Sequence, residues 1–246
     1  METNLSISVK NLRKSFGSQT VLDSITFELN AGKVTCVLGR SGTGKSVLLK
    51  LLIGLESPDS GSICLFGHEI NDATPEMLNE ARKKVGFMFQ NAALYDSMNL
   101  EDNVAFPLRR HLNLSDSECR SRARELLSGL GMERDFTKMP SEISGGMKKR
   151  VGLARALALD PIAVMFDEPT AGLDPMGAAE IATLIVDLRE KRKITSLVVT
   201  HDLHTAHSVA DRLIVLDGGK MIFDGTFDEL EKSKVPFIVQ YLKDAA

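Results

Sequence analysis

The sequence predicts an α/β fold with a mostly parallel sheet, and three observations support that prediction. Short apolar runs rich in β-branched residues recur along the chain, as is typical of strands buried on both faces. These runs cover residues 34–38, 85–89, 162–166, 196–200 and 213–216. Helix-like stretches separate several of them, which favours parallel pairing. Between residues 90 and 160 the strand pattern is absent, which indicates an inserted helical segment.

The two ends of the chain show hairpin patterns. Apolar and polar side chains alternate from Ser6 to Val9 and from Ile25 to Leu29, which predicts antiparallel hairpins with one solvated face. Near the C-terminus, residues 217–220 read Asp-Gly-Gly-Lys and separate two apolar runs. This second pattern is typical of a hairpin at the edge of a sheet.

We expect one continuous domain over residues 1–246, because the sequence contains no internal repeat and no low-complexity linker. Residues 1–90 and 161–230 are predicted to form the core together with an antiparallel β subdomain. Residues 91–160 are predicted to form a helical subdomain, in which Ser115 and Glu118 have the spacing of a capping box. For the C-terminal tail, residues 231–246, two interpretations stay open: packing on its own domain, or binding a regulatory subunit or a second copy.

Composition excludes several classes of protein. The chain is 43% hydrophobic and 26% charged, and its formal net charge of −3 offers little attraction to nucleic acid or to an anionic membrane surface. No apolar run approaches the roughly 18 residues of a membrane span, and residues 1–10 lack the features of a signal peptide. We therefore expect a cytosolic protein that reaches a membrane only through a partner. The three cysteines lie far apart, which predicts neither a disulfide framework nor a zinc site.

A glycine-rich segment fits the phosphate-loop pattern G-x-x-x-x-G-K-[ST], between an apolar strand pattern and a helix pattern. It consists of Gly39, Arg40, Ser41, Gly42, Thr43, Gly44, Lys45 and Ser46. Glycines let backbone N–H groups point at phosphate oxygens beside a helix N-terminus. Lys45 is expected to reach the β and γ phosphates, and the Ser46 hydroxyl to bind Mg²⁺. The segment predicts a nucleoside triphosphate and the core of a P-loop NTPase.

Polar residues follow two of the other predicted strands. Asp167 and Glu168 end one of them, and we expect Asp167 on the metal side and Glu168 to polarise a water for attack on the γ-phosphorus. Without other motifs, Asp167 and Glu168 would be interpreted as two solvated acids. The presence of the phosphate loop in the same chain favours a catalytic role for them. His201 follows another strand at the same sheet edge and is expected to reach the γ-phosphate. We interpret His204 and His207 as surface residues, not zinc ligands.

Further short motifs, in order along the chain, resemble those of the ATP-binding cassette (ABC) ATPases. The resemblance covers Phe16 to about Gly225. It identifies a Q-loop glutamine, a signature, a D-loop and a switch histidine, which are Gln90, Ile143 to Met147, Ala171 to Asp174, and His201. The resemblance implies ATP and Mg²⁺ as cofactors, with Phe16 stacked on adenine and Gln90 joining Ser46 and Asp167 at the metal.

The same resemblance implies that two copies pack head to tail. Each copy's signature then caps the γ-phosphate held by the other copy's phosphate loop, in an isologous interface. Besides Phe16, Gln90 and the phosphate loop, the implied nucleotide contacts are Ser144, Gly145, Gly146 and Asp174. ATP-driven closure followed by hydrolysis, with Glu168 and His201 as the catalytic residues, would work as a switch.

The signature departs from the common ABC pattern at two positions. Met147 stands where the signature usually carries Gln, and Ile143 where it usually carries Leu. Met147, the basic residues 148–150 and residues 91–98 resemble the ATPase subunits of Mla phospholipid transporters, which work with MCE-domain proteins. This resemblance implies a peripheral ATPase on the cytoplasmic side of the inner membrane that powers lipid transport through a separate permease. An MCE-domain lipid-binding protein and a small cytosolic regulatory subunit are the further implied partners.

Alternatives remain at this point. Four apolar residues near the Q-loop are expected either to dock the permease or to pack in the core: Leu94, Tyr95, Met98 and Leu100. The runner-up function is a non-transport ABC ATPase acting on ribosomes or in DNA repair, although such proteins usually carry two cassettes or a long coiled-coil insertion. A regulatory GTPase would need an N-K-x-D tetrapeptide, which the chain lacks.

Overall fold

The computed structural model describes residues 5–244 and contains two sheets flanked by helices. The first four and last two residues lie outside the described part, and with them the ends of the predicted N-terminal β segment and of the tail. The strands are β1 (Leu5–Phe16), β2 (Gln19–Asn30), β3 (Val34–Leu38), β4 (Ser60–Leu65), β5 (His68–Glu69), β6 (Val85–Met88), β7 (Ala163–Asp167), β8 (Thr195–Thr200), β9 (Arg212–Asp217) and β10 (Lys220–Gly225). The helices are α1 (Lys45–Leu52), α2 (Pro75–Lys83), α3 (Leu100–His111), α4 (Asp116–Ser128), α5 (Gly145–Ala156), α6 (Pro175–Arg192), α7 (Leu203–Val209), α8 (Phe227–Glu231) and α9 (Pro236–Asp244).

The larger sheet has the order β10-β9-β3-β8-β7-β6. All neighbouring pairs are parallel except β10 with β9, which form the antiparallel hairpin predicted at the sheet edge. The predicted α/β fold with a mostly parallel sheet is therefore confirmed. Parallel pairing matters for the site, because the carboxyl ends of β3, β7 and β8 meet at one edge.

The smaller sheet is antiparallel, with the order β2-β1-β4-β5. The hairpin of β1 and β2 was predicted, but β4 and β5 were not. The only signal for β4 was a short alternation around Ile63, interrupted by glycine. Gly61 has φ +88°, and a Cβ there would lie 2.4 Å from the carbonyl oxygen of Asn11. The close approach of β4 to β1 therefore requires glycine at position 61. The same glycine weakens the apolar–polar alternation by which a strand is predicted from sequence.

The larger sheet is buried on both faces. Alternate residues of one strand contribute to different cores, as a pleated strand requires: Val37 and Met165 belong to a core shared with α1 and the small sheet, whereas Cys36 and Phe166 belong to a core with α6 and α7. This double burial explains the continuous apolar runs in the sequence. In residues 5–244, no helix combines the length and apolar character needed to cross a membrane.

Helices α3, α4 and α5 form a third apolar core. Ser115 and Glu118 make the predicted capping box at the start of α4. Leu100 is fully buried in this core, so of its two expected places, a docking surface or the core, it occupies the core. Leu94 packs against the same core, whereas Tyr95 is 44% exposed. Of the four apolar residues near the Q-loop, Tyr95 is therefore the one that is exposed to solvent.

The tail packs on its own domain. Ile238 and Tyr241, three residues apart on α9, are buried in the core that also contains Phe166. Of the two interpretations that the sequence left open, the described residues of the tail follow the first.

A pair of leucines in and after α1 tests the core that α1 shares with the small sheet. Leu51 is fully buried, and Leu55 is 54% exposed. We expect Leu51→Ala to lower the free energy of unfolding by about 2–5 kcal/mol, because it removes buried methyl groups and leaves a cavity. Leu55→Ala, the matched control, should change it by less than about 0.5 kcal/mol. Urea unfolding followed by circular dichroism measures both, and equal effects would contradict the described packing.

Candidate functional site

The phosphate loop joins β3 to α1, and its glycines are required by close contacts. A Cβ at Gly39 would lie 2.7 Å from the carbonyl oxygen of Leu216, and one at Gly44 would lie 2.9 Å from a methyl group of Val21. Gly44, which precedes α1, also has φ +95°. The loop thus folds tightly against β2 and β9, directly before the N-terminus of a helix, which is where an anion binds favourably.

Lys45 is buried inside this loop, with 6% of its surface exposed. Its Nζ donates to the carbonyl oxygens of Gly39 at 2.7 Å and Arg40 at 3.0 Å, and lies 3.6 Å from Oε1 of Glu168. Burial lowers the pKa of Lys45, and the nearby Glu168 carboxylate partly offsets this effect. The ammonium is held by weak acceptors that phosphate oxygens could replace.

Ser46 and Asp167 lie in contact and fit Mg²⁺. The Ser46 hydroxyl donates to Oδ1 of Asp167 at 3.0 Å. Burial raises the pKa of Asp167, and the Ser46 hydrogen bond partly offsets that. Hydroxyl and carboxylate oxygens are hard donors of the kind Mg²⁺ prefers, and the remaining positions suit phosphate oxygens and water. Within residues 5–244, no cluster of three or more His, Cys, Asp or Glu side chains has the arrangement of a metal site built from these side chains alone. When bound, Mg²⁺ supplies charge neutralisation at the terminal phosphates.

Glu168 lies at a sharp turn after β7. Its φ is 47°, a left-handed conformation that is uncommon outside glycine. Its backbone N–H donates to the carbonyl of Val199 on the neighbouring strand at 2.9 Å. Oε2 of its buried carboxylate lies 2.9 Å from Nδ1 of His201 and accepts the His201 backbone N–H at 3.3 Å. The two residues predicted as catalytic are therefore in direct contact.

His201 is held from the other side by a residue that the sequence did not indicate. The Tyr241 hydroxyl, from α9, donates to the His201 carbonyl oxygen at 2.5 Å. Burial raises the pKa of Tyr241 to about 12, so the hydroxyl keeps its proton. Only the packing of α9 brings Tyr241 there, and no spacing in the sequence signals it. His204 and His207 are exposed on α7.

One cavity of about 410 Å³ brings together most of the predicted residues. Its lining includes Phe16, Gln90, Glu168, His201 and the phosphate-loop residues Ser41, Gly42, Gly44, Lys45 and Ser46. Phe16 is 47% exposed, and Lys14 Nζ lies 5.0 Å from the centroid of its ring, so part of the ring is accessible to a base. The cavity thus combines an aromatic face, a phosphate cradle and a carboxylate next to an imidazole.

Four of the predicted residues lie away from the phosphate loop. Ser144, Gly145, Gly146 and Asp174 line a second cavity, of about 530 Å³. Ser144 caps α5 by accepting the Met147 N–H at 3.3 Å, and Asp174 caps α6 by accepting the Gly177 N–H at 2.7 Å. Within one chain the signature therefore does not line the cavity of the phosphate loop.

Two cations of α5 contact the segment around Gln90, and no sequence pattern assigned either of them a role at the site. Lys149 reaches the Gln90 carbonyl, and Arg155 reaches the carbonyls of Ala92 and Ala93. The sequence of α5 is apolar with a few charged residues. That pattern fits buried charged residues, but it fits charged residues on an exposed helix face equally well.

The chain is similar to known proteins in sequence and in fold. The family model described as "ABC transporter" matches residues 22–171. The probable ribonucleotide transport ATP-binding protein mkl of Mycobacterium leprae (strain TN) is 44% identical over 98% of this chain and 70% of its own length. The chain spans 66 to 70% of the length of the mkl relatives that it matches. The intermembrane phospholipid transport system ATP-binding protein MlaF of Haemophilus influenzae is 40% identical over 99% of this chain and 92% of its own length.

Among solved structures, a dimeric ATP-binding cassette in a post-hydrolysis state, bound to ADP and Pi, superimposes with a TM-score of 0.83. It is 31% identical to this chain, and the match covers 89% of this chain and 98% of that one.

The raised pKa of Asp167 predicts how the protein's stability depends on pH. A carboxyl whose pKa is higher in the folded than in the unfolded protein stabilises the fold below its ordinary value of about 3.9, and this contribution is lost as pH rises through the folded value. We therefore expect nucleotide-free Asp167→Asn to melt at a higher temperature than wild type at pH 8. The difference should shrink as the pH falls towards 4. Scanning fluorimetry measures the melting temperatures of the two proteins at each pH. A lower melting temperature for Asp167→Asn than for wild type at pH 8 would refute the prediction.

Proposed function

Because the chain belongs to the ABC transporter family of ATP-binding proteins, we propose that it powers phospholipid transport through a separate membrane permease. As a member of that family it is an ATPase that uses ATP and Mg²⁺. The observation that supports phospholipid as the cargo is the match to MlaF, which is 40% identical over 92% of its own length. The mkl relative, whose name specifies ribonucleotides, is 44% identical over 70% of its own length.

We assign hydrolysis to Glu168 and His201. The phosphate-loop N–H groups and Lys45 hold the β and γ phosphates, since phosphate oxygens replace the loop carbonyls as acceptors. The Glu168 carboxylate accepts a proton from the attacking water, whose oxygen bonds to the γ-phosphorus as the bond to ADP breaks. His201, whose ring contacts that carboxylate, orients the γ-phosphate, and Phe16 stacks on adenine. Gln90, together with Ser46 and Asp167, would hold Mg²⁺, which would neutralise charge at the terminal phosphates.

The second cavity supports a dimer as the active species. Its lining from Ser144, Gly145, Gly146 and Asp174 contains the N-terminus of α5, which suits a phosphate. We infer that a second copy, packed head to tail, brings its ATP there, and the similar cassette bound to ADP and Pi is itself dimeric. ATP would then hold two copies together through contacts that ADP lacks.

A separate groove supports docking of the permease. This groove, of about 380 Å³, lies between β6, α3 and α5 and is lined by Phe89, Tyr95 and Phe106 among others. These three rings are 36 to 44% exposed, and the centroids of Tyr95 and Phe106 lie 5.0 Å apart. Exposed aromatic clusters are typical anchors of protein interfaces. The groove adjoins the Q-loop, so a docked helix could sense the nucleotide site.

The proposal also covers the organisation of the chain and its further partners. We divide the chain into a core with an antiparallel β subdomain (1–90 and 161–230), a helical subdomain (91–160) and a tail (231–246). In this proposal the protein lies on the cytoplasmic face of the inner membrane, beside the permease and an MCE-domain lipid-binding protein. A small cytosolic regulatory subunit completes the proposed assembly.

Two substitutions test the hydrolytic site. Glu168→Gln should lower turnover by at least about 100-fold while keeping ATP bound, because the amide cannot accept the proton from water. Dimers should then accumulate with ATP, as seen by size-exclusion chromatography. Lys45→Ala should abolish nucleotide binding, measured with a fluorescent ATP analogue. Unchanged turnover in both variants would overturn this mechanism.

The transport proposal is tested by extracting a tagged copy from native membranes in mild detergent and identifying co-purifying proteins and lipids by mass spectrometry. We expect a permease, an MCE-domain protein and phospholipid. Ribosomal or DNA-repair proteins without a membrane protein would overturn transport and leave the ATPase standing. A permease without an MCE-domain protein or phospholipid would overturn the lipid assignment alone.

The same extraction tests the docking groove. Combining Tyr95→Ser with Phe106→Ser should lower permease recovery by about tenfold, since exposed aromatic anchors carry much of the energy of an interface. Leu55→Ala, which changes an exposed apolar residue outside the groove, is the control and should recover the permease as wild type does. Equal recovery by all three proteins would place the permease elsewhere.

A further inference from the structure

Lys149 is a buried cation for which the proposed chemistry has no use. It lies in the middle of α5, with only 5% of its surface exposed. Its Nζ donates to the carbonyl oxygen of Gln90 at 2.5 Å and to that of Glu168 at 3.0 Å. Burial lowers the pKa of Lys149, and the acidic neighbours Glu168 and Asp167 partly offset that effect. One side chain thus joins the helix that begins at the signature to two separate loops of the nucleotide cavity.

The backbone that these contacts hold is strained. Glu168 has φ 47°, and Ala92 and Ala93, just after Gln90, have φ 57° and 48°. Left-handed conformations outside glycine persist only where the surroundings enforce them. Arg155, also on α5, donates to the carbonyls of Ala92 and Ala93, each at 2.7 Å. Helix α5 therefore holds the carbonyl groups of all three strained residues.

Stability alone does not account for a lysine at this position. A buried ammonium is costly to desolvate, and hydrogen bonds to two neutral carbonyl groups offset only part of that cost. The contact instead has a geometric consequence, because the Glu168 carbonyl and carboxylate belong to one residue. Displacing that carbonyl rotates the backbone from which the carboxylate projects towards His201.

We propose that Lys149 is a positioning residue that makes the placement of Glu168 and Gln90 depend on the signature helix α5. Ser144 caps the start of that helix, so a phosphate bound there acts on the same rigid element that carries Lys149. The inference rests on the proposed function, in which Glu168 and Gln90 act on ATP bound by the same chain.

The test compares Lys149→Met, Lys149→Arg and Lys148→Met. Methionine keeps the length of the side chain but removes its donors, whereas arginine keeps donors and charge. Lys148 is the matched control, a half-exposed neighbour on α5. Steady-state ATPase assays give kcat and KM, a non-hydrolysed fluorescent ATP analogue gives the affinity, and scanning fluorimetry reports folding.

We expect Lys149→Met to lower kcat by about 10- to 100-fold, because small displacements of a catalytic group have effects of this size. Its affinity for the analogue should stay within about twofold of wild type, and scanning fluorimetry should show that it is still folded at the assay temperature, with a melting temperature lowered by the loss of one buried donor. Lys149→Arg should recover most of the lost kcat, and Lys148→Met should match wild type. Should Lys149→Met not fold, Lys149→Gln provides the same comparison with an uncharged amide.

Three results would overturn the inference: a kcat for Lys149→Met within twofold of wild type, an equal loss of kcat in Lys148→Met, or a loss of affinity that accounts for the lost turnover.

Glu168→Gln, measured alongside, separates the inference from the proposed function. If Glu168→Gln loses turnover and Lys149→Met does not, only the inference fails. If Glu168→Gln retains turnover, the proposed role of Glu168 fails. The variant that combines Lys149→Met with Glu168→Gln should have a kcat within about twofold of that of Glu168→Gln alone, because both changes act on the same step.

Discussion

Burial of the parallel sheet on both faces dictates where this molecule can place its polar chemistry. With apolar cores on either side, the strands that pair in parallel carry charged groups only at their ends. The carboxyl ends of β3, β7 and β8 form one such edge, and each continues into polar residues: the phosphate loop, Asp167 with Glu168, and His201. The site is therefore a consequence of strand order, not of proximity in sequence.

Several charged groups are buried at that edge, and they stabilise one another. Lys45 contacts Glu168, Glu168 contacts His201, and Lys149 contacts the backbone of Glu168. Such a network is costly to desolvate, and the raised pKa of Asp167 is one sign of that cost. Functional sites commonly carry this kind of cost, because the groups are arranged for a bound substrate and not for the stability of the empty protein.

Helix α5 connects parts of the molecule that lie far apart in the sequence. Its N-terminus opens on the second cavity, its middle holds Glu168 and Gln90, and Arg155 near its end lies 5.8 Å from the Tyr95 ring in the docking groove. A rigid helix with contacts at all three places is a physical route by which nucleotide, partner copy and permease could influence one another. Tyr241 adds a contact from the C-terminal helix to His201.

Local patterns in the sequence were enough to predict the strands of the parallel sheet, the edge hairpin, the capping box at Ser115 and the chemical type of each group around the phosphate loop. Periodicity, glycine spacing and capping act within a few residues of one another, so these features can be read from short segments. Folding in three dimensions was needed to show that Leu100 is core, that β4 pairs with β1, and that Tyr241 and Lys149 reach His201, Gln90 and Glu168. The contacts of Tyr241 and Lys149 join residues 19 to 59 positions apart, and their partners are backbone carbonyl groups. Every residue has such a carbonyl, so nothing in the sequence marks the one that a distant side chain will find.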